Sequence, residues 1–330
     1  MMIVSRTPLR VSFFGGGTDY PEYFRRTPGA VLGMAINQYV YVSMLRLANI
    51  LEYKYRVSYS RIETVAELSD IQHPVVRSVL THYGTTQPLD ISIMADLPAR
   101  SGLGSSSSFT VGLLNILFTL QRQVTTKLDL ARAAVFVERD LLGENVGVQD
   151  QYHAAFGGLN RFDFADERTR ITPIQMTGSC LAALTSCLFL LYTGVTRLAS
   201  ATLDEQMQRT RSGQADRDLS HLLTLTGQAV GVLEGCDPER MLVEFGAMLH
   251  EGWETKKRLS SRVSNPEIDT LYAAALAAGA IGGKLCGAGS GGFLLMLVAP
   301  ERQSAFIAAM GSVCVIPIGL DTTGSTILQG

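Results

Sequence analysis

Arg10, Asp19, Glu138 and Asp150 are the charged side chains whose settings suggest chemistry. Beside them stand three glycine-rich segments: Gly15-Gly16-Gly17, Gly102-Leu103-Gly104 with the run Ser105-Ser106-Ser107-Ser108, and Gly287 to Gly292. Glycine lets backbone approach a ligand closely and adopt positive φ. A Gly/Ser loop that opens a helix aims free N–H groups and the positive dipole end at one point, which suits a phosphate. Residues 101–109 fit that pattern. A strand stops at Leu97-Pro98, the loop follows, and an apolar helical pattern runs from Phe109 to Gln121. The serine hydroxyls could bind phosphate or a magnesium ion. A flexible linker would not lead straight into so dense an apolar helix.

Two other nucleotide motifs fail. Gly287-Ala-Gly289-Ser290-Gly291-Gly292 satisfies GxGxxG, but a strand-like run follows where a dinucleotide fold needs a helix. Ala278 to Leu285 misses the P-loop, with Ala278 for the first glycine and Leu285 for the magnesium-binding hydroxyl.

Phosphoryl transfer needs a metal on the phosphates, a positioned hydroxyl and charge stabilisation. Taken singly, each acid reads as a solvated residue or a cap. Glu138 sits on a predicted helix over 128–142 that stops at Gly143. Asp150 follows twelve residues later, amid Asn145, Gly147 and Gln149. Asp19 could cap residues near Tyr20. Arg10 lies on the first strand before Phe13-Phe14, either paired in the interior or facing a polar pocket.

The elements that must position these groups follow from periodicity. Strands are expected over 1–14, 29–48 and 54–59, and over 89–95. Helices are expected over 73–83 and 149–156, and a hairpin over 158–176. The run 180–195 reads as a turn and a buried strand, with the strand over 184–193. Helical patterns then cover 203–233, 238–259 and 264–278. A glycine-rich turn feeds a strand at 293–298, and a helix at 304–310 precedes a last strand at 313–318. The class is α+β in two halves, 1–180 and 181–330, with the break near 176–184.

The chain has 330 residues, 46 % of them apolar and 18 % charged, enough for a globular core. Its net charge of -2 and the lack of a long basic run predict no affinity for nucleic acid or membranes. Five scattered cysteines without a CxxC pair suggest reduced thiols in a cytosol, not a disulfide framework or a zinc site. The five histidines do not cluster at ligand spacing. The opening residues lack the features of a signal peptide, so a cytoplasmic protein is expected.

Together these residues resemble the GHMP kinases. Arg6-Thr7-Pro8-Leu9-Arg10 through Gly15-Gly16-Gly17-Thr18-Asp19-Tyr20 is similar to that family's N-terminal substrate segment. Pro98 to Ser108 is similar to its phosphate loop, Gly147-Val148-Gln149-Asp150-Gln151 to the segment holding its base, and Lys284 to Phe293 to its C-terminal glycine motif. The resemblance spans essentially the whole chain. It implies an N-terminal half like ribosomal S5 domain 2 and a ferredoxin-like C-terminal half.

Residue by residue, the resemblance implies that Gly102, Leu103, Gly104, Ser105, Ser106 and Ser107 cradle the phosphates of ATP. Ser106 and Glu138 hold Mg2+, and Asp150 takes the proton of the attacking sugar hydroxyl with Arg10 beside it. Gly16, Gly17, Thr18 and Asp19 meet the sugar, and Gly287, Gly289, Ser290 and Gly291 close over the reacting groups. Galactokinases have an acid and a histidine where this chain has Gly16 and Gly17, which argues against galactose. The Gly-Gly-Gly-Thr-Asp-Tyr form is similar to the family's heptose 7-phosphate kinases, which phosphorylate the anomeric hydroxyl on the way to GDP-heptose. The partner is then a small-molecule sugar phosphate, with Arg197 the candidate for its distal phosphate; a homodimer is compatible with the sequence. Another sugar such as fucose or a hexose, and a non-catalytic sensor, are the competing readings. A sensor would be expected to lose the base or a metal ligand, and Asp150, Glu138 and Ser106 are all present.

Overall fold

The computed structural model describes residues 2–48, 50–166, 168–194, 200–235 and 237–329. The strands among them are β1 (Met2–Phe14), β2 (Gly29–Arg46), β3 (Tyr55–Ser58), β4 (Ile62–Val65), β5 (Leu89–Ala95), β6 (Leu159–Ala165), β7 (Arg168–Pro173), β8 (Leu188–Tyr192), β9 (Ala280–Leu285), β10 (Phe293–Val298), β11 (Val315–Pro317) and β12 (Thr326–Gln329). The helices are α1 (Pro21–Phe24), α2 (Pro74–His82), α3 (Ser105–Leu120), α4 (Lys127–Phe136), α5 (Gln149–Phe156), α6 (Gly178–Ser186), α7 (Ser200–Arg211), α8 (Asp216–Leu233), α9 (Pro238–Lys257), α10 (Pro266–Ala277) and α11 (Gln303–Ala309). The α+β class expected from periodicity is the class found.

The larger sheet runs β12-β1-β2-β5-β3-β4, with β6 on β2 and β7 on β6. The length of β2 lets it serve two partners: Gly29 to Met34 pair with β6, and Val40 to Arg46 with β5. The pairing of β1 with β2 shifts register between Pro8 and Leu9 and again between Ser12 and Phe14. Proline has no N–H for the ladder, and such irregularities kink a strand and re-aim its side chains. The two shifts bracket Arg10. Helix α3, apolar on most sides and buried at eleven positions, packs against β1 and β2.

The smaller sheet runs β11-β8-β10-β9, antiparallel throughout. Leu188, Leu190, Leu295 and Leu297 face the main core, while Phe189, Leu191, Leu294 and Met296 face Trp253, Ile268, Tyr272 and Phe306 of α9 to α11. Burial on both faces explains why β8 and β10 read as unbroken apolar runs without alternation.

Several expectations need correction. Residues 178–186 form α6, capped by Thr177, whose hydroxyl accepts from the Cys180 N–H at 3.2 Å, so Leu184 is helical and the strand starts at Leu188. A short apolar run does not separate strand from helix by periodicity. The serine run is the first turn of α3 and not part of the loop. The helix expected over 128–142 ends in one π-helical turn, Val137–Leu141. The short β4, β12 and α1 had no expectation. Through β12 the last residues return to pair with β1.

Candidate active site

A cavity of about 270 Å³ lies where the end of β1, the N-terminus of α3, the first turn of α5 and the α9–β9 region meet. One wall is the opening of α3. Its N-cap is Gly104, in left-handed conformation at φ +76°, with no side chain to satisfy the N–H groups of the first turn. Those donors and the helix dipole point at the cavity, which Gly102, Gly104, Ser105, Ser106 and Ser107 line. Side-chain space is closed off here. A Cβ on Gly104 would sit 3.2 Å from Arg10 Cγ and 3.3 Å from Asp150 Oδ2, and one on Gly102 would sit 2.6 Å from the Cys286 carbonyl. The phosphate-loop segment and the C-terminal glycine segment are therefore packed backbone to backbone.

Three successive residues of α5 reach three different elements. Gln149 donates from Nε2 to Asp19 Oδ2 at 2.9 Å, on the loop after β1. Asp150 receives the guanidinium of Arg10 on both oxygens, at 2.7 Å from Nε and 2.8 Å from Nη2. Gln151 donates to Glu138 Oε2 on the π-helical turn. Successive helix residues project about 100° apart, so one turn can address three directions at once. Arg10 is nearly buried, and its Nη1 donates to the Gly102 carbonyl at 2.5 Å. Burial alone would lower the Arg10 pKa, but the Asp150 carboxylate outweighs it and holds the guanidinium charged.

Asp19 is buried and does not cap α1; it accepts from the Gly17 N–H at 2.9 Å and from Gln149. Burial pushes its pKa up, and the Gly17 bond works the other way. Gly147 is needed where it stands, since a Cβ there would fall 2.0 Å from Asp19 Oδ2. Glu138 is 1 % exposed, with Ser107 Oγ donating to Oε2 at 2.8 Å. Burial pushes its pKa up to about 7, against the pull of its hydrogen bonds from Ser107 and Gln151.

The structure brings Arg10, Gly16, Gly17, Asp19, Glu138, Asp150 and Gly287 to the cavity together with the α3 residues. Other expected site residues lie elsewhere. The Leu103 side chain is fully buried in the core, and only its backbone bears on the site, accepting from the Arg10 N–H at 3.0 Å. Thr18 turns its hydroxyl to the carbonyls of Gly15 and Ala30 and braces its loop. Ser290 bonds Thr202 and the Arg262 carbonyl, a Cβ on Gly289 would strike Val263, and neither they nor Gly291 line the cavity. Arg197 lies outside the described residues.

Sequence reasoning passed over Lys256. It lines the cavity with Lys284, and both are buried. A signal existed: Leu242, Phe245, Leu249, Gly252 and Lys256 follow helical spacing along α9, so the lysine continues the buried stripe.

The residues present fit a magnesium ion. Glu138 Oε1 is buried and has no partner among the described residues, an unstable arrangement for a carboxylate unless a cation completes it. Ser106 and Ser107 hydroxyls line the same cavity, and hard oxygen donors suit magnesium.

Comparison with known proteins now bears on this geometry. The family model for the GHMP kinases N terminal domain matches residues 71–158, and that for GHMP kinases C terminal matches residues 238–315. The chain belongs to the GHMP kinases. Among curated relatives, the D-glycero-alpha-D-manno-heptose 7-phosphate kinase of Campylobacter jejuni is 29 % identical over 93 % of each chain. The galactokinase of Pyrococcus furiosus is 27 % identical over 91 % of this chain and 90 % of its own. A solved structure, a D-glycero-D-manno-heptose 1-phosphate kinase from Bacteriodes thetaiotaomicron, superposes with a TM-score of 0.75 at 25 % identity, covering 99 % of both chains. These GHMP relatives make the activity that of an ATP-dependent sugar kinase. No helix among the described residues is long and apolar enough to cross a membrane.

Proposed function

We propose that the enzyme transfers the γ-phosphoryl group of ATP to the anomeric hydroxyl of D-glycero-α-D-manno-heptose 7-phosphate, giving the 1,7-bisphosphate. The observation that carries the reading is the Arg10–Asp150 fork set directly beside Gly104, where α3 opens. A carboxylate paired with a guanidinium next to a phosphate-binding helix N-terminus is placed to take a proton from a hydroxyl that attacks a bound phosphate. Asp150 is the base that takes the proton of the attacking hydroxyl, and Arg10 holds its carboxylate in place. The α3 N–H groups hold the ATP phosphates, and Asp19 and the Gly15–Gly17 turn receive the sugar. Glu138 and Ser106 hold magnesium, which supplies charge neutralisation on the phosphates when bound. The division near residue 180 belongs to the same reading, with the first half supplying the phosphate loop and base. The product would serve GDP-heptose synthesis for surface polysaccharide, in the cytoplasm.

The choice of sugar is supported by the Campylobacter relative and by the small residue Gly16, where a Cβ would meet nothing closer than 3.8 Å. The test is ADP release from ATP and magnesium against galactose, fucose, mannose, sedoheptulose 7-phosphate, the heptose 7-phosphate and the heptose 1-phosphate, with phosphorus NMR of the product. Turnover confined to the heptose 7-phosphate, with a new anomeric phosphate resonance, is expected. Turnover of a free sugar, or of the 1-phosphate, would keep the kinase and overturn the substrate.

A further inference from the structure

An ammonium taken out of water is costly unless a carboxylate or another anion compensates it. Arg10 has Asp150. Lys256 and Lys284, on the same cavity, are 9 % and 7 % exposed and have no carboxylate within salt-bridge distance among the described residues. Lys284 Nζ donates to the carbonyls of Ser12 at 2.7 Å and Phe13 at 2.9 Å. Lys256 Nζ donates to the carbonyls of Leu285, at 3.3 Å, and Gly287. An ammonium carries three donors, so each lysine keeps one beyond its two carbonyls.

The same cavity is also lined by Gly15 to Gly17, Leu203 and Gln206 of α7, Leu222 of α8, and Gly252 of α9. The ATP phosphates already have the α3 donors. A second anion on the substrate, which those donors do not serve, would meet the two ammonium groups.

We propose that Lys256 and Lys284 hold the phosphate group that the sugar already carries. The inference rests on the sugar-phosphate reading above, and it gives to these lysines the task that the sequence suggested for Arg197. Burial pushes Lys284 down to about 7, with Lys256 adding to the effect, and burial pushes Lys256 down to about 8. The other titratable groups acting on the pair are Arg10, Asp19 and Cys286. A phosphate dianion between the two ammonium groups would offset their mutual repulsion and favour their charged forms.

Inorganic phosphate is the first probe, used as a dead-end inhibitor of the wild-type enzyme. Inhibition competitive with the heptose 7-phosphate and not with ATP is expected; competition with ATP alone would overturn the proposal. Next, Lys256→Met and Lys284→Met are compared on the heptose 7-phosphate and on the same heptose without its phosphate, with thermal melts to confirm folding. The ratio of kcat/KM for phosphorylated over unphosphorylated heptose should fall about 50-fold in each, as loss of a charged hydrogen bond predicts, mostly through KM. An unchanged ratio, or a rise in the KM for ATP with the ratio intact, would overturn it. Should the wild type itself show no preference for the phosphorylated sugar, the substrate reading falls and this proposal with it. A preference that survives both substitutions would sink the lysine assignment alone.

Discussion

The first turn of α5 and the π-helical turn after α4 each deliver a carboxylate to one cavity, on opposite terms. Asp150 meets a guanidinium on both oxygens. Glu138 meets only neutral donors, on one oxygen, and its other oxygen is buried without a partner among the described residues. The protein balances the first charge with its own cation. It leaves the second without a cation of its own among the described residues, which suits the proposed magnesium ligand better than a base. The π-helical turn serves this arrangement. The Leu142 N–H bonds the Val137 carbonyl at 3.0 Å, five residues back, and the wider turn carries Glu138 into the interior.

Removing the protein's cation should do the greatest damage. In Arg10→Met a largely buried carboxylate loses its partner, so we expect about 3 kcal/mol of stability lost in a denaturant titration and turnover lowered by about 1000-fold. If stability and rate both stay within a few-fold of wild type, the two carboxylates do not differ as described. Glu138→Gln should act on the metal instead. The magnesium concentration for half-maximal rate should rise by about 100-fold, with no comparable loss of sugar affinity.

The same contrast has a sign in pH. Glu138 has a folded pKa raised to about 7 from its usual 4.5, so the stability it contributes is present below 4.5 and lost as pH rises through 7. The span corresponds to about 3 kcal/mol. Metal-free enzyme should therefore melt lower at pH 8 than at pH 5, magnesium should raise Tm more at pH 8, and Glu138→Gln should flatten both trends in differential scanning fluorimetry. Smallest is Gly104→Ala. Its left-handed backbone and its contact with Asp150 should cost about 1–2 kcal/mol and weaken ATP binding several-fold in calorimetry.

What could be read from the chain alone was what is local in it. The phosphate-loop pattern and the strand–helix order around it depend on neighbours in sequence, and both Gly104 and α3 stand close to where spacing put them. Asp150 sits on the helix expected for it. The partners come from afar: Arg10, 140 residues from Asp150, was placed beside it only through the family resemblance, and the bond of Gln149 to Asp19, 130 residues apart, had no signal at all. Lys256 shows the difficulty most clearly. Lys256 and Lys257 at the end of α9 look like paired solvated charges favouring a helix C-terminus. The fold gives them different fates, with Lys257 pairing Glu254 at 2.7 Å and Lys256 buried in the cavity. The π-helical turn was also invisible, since one extra residue per turn leaves no mark in a short apolar pattern.

Asp150 is the residue on which the proposed phosphoryl transfer depends most directly. Single-turnover phosphorylation of the heptose 7-phosphate by Asp150→Asn, alongside its Kd for ATP, is the measurement to make. We predict a rate about 1000-fold below wild type with ATP affinity within about twofold, since the α3 donors are untouched. Phosphoryl transfer at the wild-type rate in that variant would contradict it.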